Sequence, residues 1–222
     1  KIALKRKLKL LPDNILLNEV VSLVENPNIF VAKFDEKYLK LPSEILITSM
    51  KKNQKYFPLH NSTNNLSNYF LIIANLKPRD AGKLIINGNQ RVINARLEDA
   101  RFFWEKDSSD NFSDKTIGLK RVVFHNKLGS VYEKIIRLSE LALTFKNELN
   151  MDEDNYLNLK DSINICKNDL VSEVVREFPV LQGTMGYYYA NKSDLNKAIG
   201  LAIRDHYKPY GPKDSCPSTN IS

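Results

Sequence analysis

Between Pro12 and Glu25 the apolar residues Leu16, Val20, Leu23 and Val24 recur at helical spacing, with Asp13 or Asn14 placed to cap the first turn. The next run, "NIFVAKF" at 28–34, is short and β-rich and predicts a strand. "PSEILITSMKKNQ" (42–54) opens on Pro42-Ser43 and sets Ile45, Leu46 and Met50 on one side of a second helix. "KYFPLH" and "NYFLIIANL" predict two strands joined by the polar turn "NSTNNLS". After Asp80 the period becomes helical. "DAGKLII" is followed by a break at Asn87-Gly88-Asn89, then by a strong helix, "QRVINARLEDARFFWEK". Residues 107–115, "DSSDNFSDK", are polar and aperiodic and predict a linker. Beyond it, 117–127, 129–149, 155–177 and 194–207 predict helices, with breaks at Gly129, around Asn150 and at Pro179. The pattern predicts an α+β protein. A domain of mixed sheet and helix spans 1–110, and an all-helical domain spans 111–222.

Composition narrows the class. A chain of 222 residues is long enough for one large domain or two small ones, and its 42% hydrophobic and 27% charged content is that of a globular protein. No apolar run approaches a membrane span and no signal-peptide pattern opens the chain. Cys166 and Cys216 lack CxxC spacing, so the expectation is no disulfide framework, no zinc site and a reducing, cytoplasmic setting. His60, His125 and His206 show no HxxxH or HExxH pattern, and P-loop, GxGxxG and GxSxG motifs are absent, so no metal or nucleophilic centre is expected. Both ends look cut: the chain starts at Lys1 and finishes in "GPKDSCPSTNIS", which suggests a fragment of something longer.

Charge points to an anionic partner. The net charge is +7, and residues 1–110 carry 18 Lys and Arg against 12 Asp and Glu, while 111–222 carry 15 against 14. A basic front half suits nucleic acid before membrane, because no long basic amphipathic helix accompanies it. "MKKNQKYF" places Lys51, Lys52 and Lys55 just before Tyr56 and Phe57, a mixture that suits RNA backbone and base stacking; the same rings also suit a strand core beside a solvated helix end. On the helix around Arg96, residues Val92, Ile93, Leu97, Ala100, Phe103 and Trp104 share an arc of about 140°. Arg96 falls within that arc and Asp99 at its edge, which predicts an internal, architectural Arg96–Asp99 brace. Arg91 and Arg101 point the other way and are free to meet phosphates. On "CKNDLVSEVVREF" (166–178), Leu170, Val171, Val174, Val175 and Phe178 form an apolar face. Asp169, Ser172, Glu173 and Arg176 form the opposite one, either solvated or against a partner.

Four segments in order carry a resemblance: "LPSEILITSMKKNQKYFPL", "GNQRVINARLEDARFFWEKD", "KLGSVYEKIIRL" and "CKNDLVSEVVREFPVLQGTMGYYYA". Together they resemble the β subunit of the bacterial two-subunit glycyl-tRNA synthetase, from about Leu17 to Pro217. The resemblance implies an α2β2 enzyme that attaches glycine to tRNA-Gly with ATP and Mg at the α-subunit active site. This stretch would then contribute tRNA binding and subunit assembly, with no catalytic residue and no cofactor of its own. It also implies that the helical half is an HD-like domain, truncated at its C-terminal end. HD phosphohydrolases hold a metal with a His, a His-Asp pair and a later Asp. Here Asn168 stands where the paired histidine would be, leaving Asp169, and neither His125 nor Asp205 restores the missing ligand. The expectation is a degenerate, metal-free HD fold; the alternative is a metal-dependent HD-type phosphohydrolase.

Overall fold

The computed structural model describes residues 3–193, 195–219 and 221–222. The chain is α+β and divides into two compact units, 1–102 and 103–222, each with its own core.

The first unit is built on a four-stranded antiparallel sheet, in the order β1-β3-β4-β2. Its elements are β1 (Lys9–Leu10), α1 (Asn14–Leu23), β2 (Asn28–Lys33), α2 (Ser43–Lys52), β3 (Phe57–His60), β4 (Leu66–Ala74) and the start of α3 (Lys83–Ser109). β4 is the central long strand, and its consecutive residues Phe70, Leu71 and Ile72 are all buried, so both of its faces are covered. On one face Leu71 packs with Phe57, Leu59, Leu8 and the Leu16 and Val20 side chains of α1. On the other, Phe70 stacks on Tyr56 and Phe34. Asp13 caps α1 by accepting from the Leu16 amide, as its position in the sequence suggests.

α3 runs unbroken through Asn87-Gly88-Asn89, where sequence pattern predicts an interruption. Tertiary hydrogen bonds outweigh the local preference. The Asn89 amide donates to the Ile85 carbonyl and accepts from Tyr56 Oη, Gln90 donates to the Lys33 carbonyl, and Asn94 accepts from the Asp35 amide. A polar ladder thus ties this helix to the sheet and its flanking loop.

The second unit contains the last turns of α3, a 3-10 helix at Phe112–Arg121, β5 (Val123–His125), β6 (Gly129–Ser130), α4 (Val131–Glu148), α5 (Glu153–Ile165), α6 (Glu173–Glu177), α7 (Thr184–Lys192) and α8 (Lys197–Asp205). Two expectations change here. Residues 107–115 form no linker: Asp107, in the last turn of α3, joins a buried network and Phe112 is core. The stretch 123–130 forms a small hairpin in an otherwise helical unit. α4 then starts with a capping box between Ser130 and Glu133. The single helix expected over 155–177 is broken between Ile165 and Glu173, and the expected helix start at Asp194 lies outside the described residues.

Candidate functional site

The break at 166–172 turns polar side chains inward. Asn168, Asp169 and Ser172 are fully buried, so they do not form the outward polar face that a continuous helix would give them. Asn168 Nδ2 donates to the Phe112 carbonyl at 2.9 Å and to Thr116 Oγ1 at 2.8 Å, and its Oδ1 accepts from the same hydroxyl. Asp169 Oδ2 accepts from the amides of Gly183 and Gly186, the latter at 3.2 Å. Those amides belong to the N-cap and third residue of α7, which has no side-chain cap of its own. The carboxylate therefore caps that helix from another element, where orphan N–H groups and the helix dipole both favour negative charge. Burial nevertheless dominates and pushes the Asp169 carboxyl up to about 6, with Oδ1 lacking any hydrogen-bond partner among the described residues.

Both glycines of this corner are required by the geometry. Gly183 has φ +79°, and a Cβ there would lie 2.9 Å from the Tyr207 ring. A Cβ on Gly186 would lie 2.5 Å from Ile203 Cγ2, so the residue permits close approach of α7 and α8.

Asp107 plays the equivalent part for α6. Its two oxygens accept from the Glu173 and Val174 amides at 3.0 and 2.9 Å and from Tyr189 Oη at 3.1 Å, and Ser172 Oγ takes the Val175 amide. Trp104 stacks on Tyr189 beside it. Of the three tyrosines in "GYYYA", only Tyr189 is core.

These residues do not fit a divalent metal. Asn168 has its amide committed to the protein, Asp205 pairs with Arg204 and Lys208, and His125 is exposed on the hairpin. Among the described residues no three His, Cys, Asp or Glu side chains converge.

The basic residues singled out for RNA divide into two groups. Lys51 pairs with Asp13, and Lys55 pairs with Glu19 at 2.5 Å and donates to the Lys52 carbonyl at 3.0 Å, so these lysines hold α1 against the end of α2. Lys52 is exposed at the same helix end. Arg101 pairs with Glu98, whose carboxyl that guanidinium and the Tyr38 hydroxyl hold down at about 2. Arg91 is exposed and makes no ion pair with the described residues. Arg96 and Asp99 are also exposed, with no ion pair between them among the described residues, so the expected internal brace does not form. The reason is the narrow stripe that α3 buries, Ile93, Leu97 and Ala100, which leaves Arg96 outside it.

Sequence reasoning passed over a basic hairpin by assigning 117–127 to a helix. On β5, β6 and their flanks, Lys120, Arg121 and Lys127 are exposed beside Val123, Phe124 and Leu128, which are 73%, 41% and 51% exposed. None of the three cations makes an ion pair among the described residues, and Lys120 sits 4.9 Å from the Tyr132 ring centre. The available signal was the density of charge in "KRVVFHNK".

Comparison with known proteins gives the class as aminoacyl-tRNA synthetase subunits. The family described as glycyl-tRNA synthetase beta subunit matches residues 1–222, and the chain belongs to that family. It is 43% identical over 217 residues to the glycine–tRNA ligase beta subunit of Methylobacillus flagellatus, covering 98% of this chain and 30% of the relative. It is 43% identical over 222 residues to that of Rickettsia conorii, covering all of this chain and 32% of the relative. The chain thus spans about a third of the length of the curated relatives it matches. No helix among the described residues is long and apolar enough to cross a membrane.

Proposed function

We propose that this chain is the part of a glycine–tRNA ligase β subunit that grips tRNA-Gly and joins the assembly, while ATP-dependent attachment of glycine takes place in the α subunit. The observation that carries the tRNA-binding part is the exposed hairpin, where Lys120, Arg121 and Lys127 are exposed on the same strands and flanks as Phe124, without carboxylate partners among the described residues, and Lys134 covers one side of that ring. Unpaired cations neutralise phosphates, and an exposed ring offers a stacking surface that single-stranded or looped RNA uses. Arg91 adds exposed charge on the first unit. Lys51, Lys55 and Arg101 contribute less, because each must leave a carboxylate to take a phosphate. The helical unit acts as a degenerate HD-like scaffold in a cytoplasmic α2β2 enzyme. A phosphohydrolase reading has less support, since Asn168 and Asp169 serve backbone amides and carbonyls.

The test is a salt titration of tRNA-Gly binding to the intact α2β2 enzyme. Changing Lys120 and Lys127 together to alanine reduces the slope of log affinity against log salt by about one unit per lysine. Phe124→Ala weakens binding without changing the slope. An unchanged slope in the double lysine variant would remove the hairpin from the interface.

A second reading, assembly, rests on a separate observation. α1 leaves Leu17 49% and Val21 68% exposed in a groove of about 380 Å³ that Ile29 also lines, and Ile15 85% exposed elsewhere on the helix. An apolar face of this kind marks a contact surface.

A further inference from the structure

A cavity of about 620 Å³ opens in the second unit between α4, α5 and the residues following α8. Its body is apolar, lined by Leu138, Phe145, Leu149, Leu159 and Ile163. Its lining also includes Lys134, Lys167 and His206 and the residues Ile221 and Ser222, and among the described residues no Asp or Glu side chain. Lys167 is buried, and its Nζ donates to His206 Nε2 at 2.7 Å while lying 3.6 Å from the Tyr207 ring centre. His206 Nδ1 in turn donates to the Ile203 carbonyl at 2.7 Å, which fixes the neutral tautomer that accepts at Nε2. Lys134 lies over the Phe124 ring at 4.4 Å. Among the described residues neither ammonium has a carboxylate within ion-pair distance; Lys167 is buried and Lys134 half-buried, and the nearest carboxyl to act on Lys167 is Asp169, which is itself committed to the Gly183 and Gly186 amides.

We propose that this cavity binds an amphipathic monoanion, a carboxylate with an apolar tail, whose head is held by Lys167 and Lys134 and whose tail fills the leucine-lined body. The size matches pockets that hold small ligands, and the lining combines an apolar majority with a few polar groups, of which Lys167 and His206 are joined by a hydrogen bond. Among the described residues no acidic side chain lines it, which disfavours a zwitterion or a cation, whose ammonium would find no partner there. A neutral alcohol leaves the lysines uncompensated. The groups facing Lys167 are Lys134, Cys166, Asp169, His206 and Tyr207. Burial brings the Lys167 ammonium down to about 8 and His206 to about 4, while the Cys166 thiol is pushed up to about 11. An anion at Lys167 favours the protonated amine. Affinity is therefore full between about pH 5, above which the carboxylate is ionised, and about pH 8, and falls by up to about tenfold per pH unit above that.

The experiment uses the full-length β subunit within the α2β2 enzyme and the probes dodecanoate, dodecanol and dodecylamine, followed by calorimetry below their micellar concentrations. Saturable binding of dodecanoate at one site per β subunit is expected, with dodecanol and dodecylamine at least about tenfold weaker. Lys167→Met lowers dodecanoate affinity at least about tenfold and removes the loss above pH 8. Leu159→Trp fills the tail space without changing charge and also abolishes binding, which decides the matter if Lys167→Met does not fold. The proposal is overturned if dodecanol or dodecylamine binds as tightly as dodecanoate, or if Leu159→Trp retains the affinity. Absence of saturable binding, as when the subunit's own downstream chain fills the cavity, overturns it equally.

Discussion

At the scale of single residues, Asp169 and the two glycines it meets govern the local fold. Asp169→Ala leaves the Gly183 and Gly186 amides buried without an acceptor, and destabilises the unit by about 2 kcal/mol or more. Asp169→Asn keeps an acceptor and removes a charge that burial disfavours, so it costs less near neutral pH. The pH dependence separates the two effects. The folded carboxyl titrates at about 6, above the ordinary value of about 4. Between those values the folded state binds more protons, so stability from this residue is full below about pH 4, declines as pH rises to about 6, and then stays flat. Thermal unfolding of wild type minus Asp169→Asn should show that decline; a flat difference would contradict it. Gly186→Ala sets two effects against each other. Alanine favours a helix by about 1 kcal/mol, but the overlap with Ile203 costs about 1–3 kcal/mol, so the net is destabilising. Gly88→Ala, in α3 with nothing within 4 Å of its Cβ, instead stabilises by up to about 1 kcal/mol. Opposite signs in unfolding midpoints check the pair. The sequence shows that 178–186 is a corner, since Pro179 and Gly183 stop and turn the chain. It does not show that Asp169 supports that corner, because the contact spans 14 residues.

At the scale of elements, periodicity finds what burial on one face imposes and misses what polar contacts impose. α1, α2 and β2 to β4 follow from spacing alone, because each has apolar positions that only one period explains. The two α3 segments fuse because Asn89, part of the expected break, and Gln90 and Asn94 just after it bond to Tyr56 and to backbone far along the chain. The helix over 155–177 divides because Asn168 and Asp169 bond to 3-10 and helix termini elsewhere, which no local pattern records. The basic end of α2 was legible as charge, but its pairing was not. Lys51 and Lys55 meet Asp13 and Glu19 on α1, partly exposed pairs contributing at most about 1 kcal/mol each. Changing both to alanine should therefore reduce the tRNA salt slope by clearly less than the Lys120 and Lys127 double change. Parallel titrations on the intact enzyme compare them, and an equal or larger effect at Lys51 and Lys55 would move the interface to α2.

At the scale of the whole molecule, the question is what covers α1. Its inner side chains Leu16 and Val20 are buried against the sheet, whereas Ile15, Val21 and Leu23 are 85%, 68% and 60% exposed. Leu10 and Leu11 just before α1 are 45% and 42% exposed, so the apolar surface extends beyond one helix. Asn14, Asn18, Glu19 and Ser22 are exposed on the same helix, but four apolar side chains exposed among them, Ile15, Leu17, Val21 and Leu23, argue for a contact that removes them from water. If the α subunit provides that contact, peptides covering 14–23 exchange amide hydrogens quickly in the isolated β subunit and slowly in the α2β2 enzyme. If the rest of the β subunit covers the helix, exchange is slow in both. Fast exchange in both leaves α1 facing solvent and removes this surface from the assembly. A substitution sharpens the choice. Ile15→Asp deletes apolar contact and inserts a charge, with little effect on the isolated unit because Ile15 lies almost wholly outside its core. Lost burial of about 2 kcal/mol weakens α–β association about thirtyfold in the first case. In the second case the same change lowers the unfolding midpoint of β alone and leaves the association constant of the folded subunits near its original value.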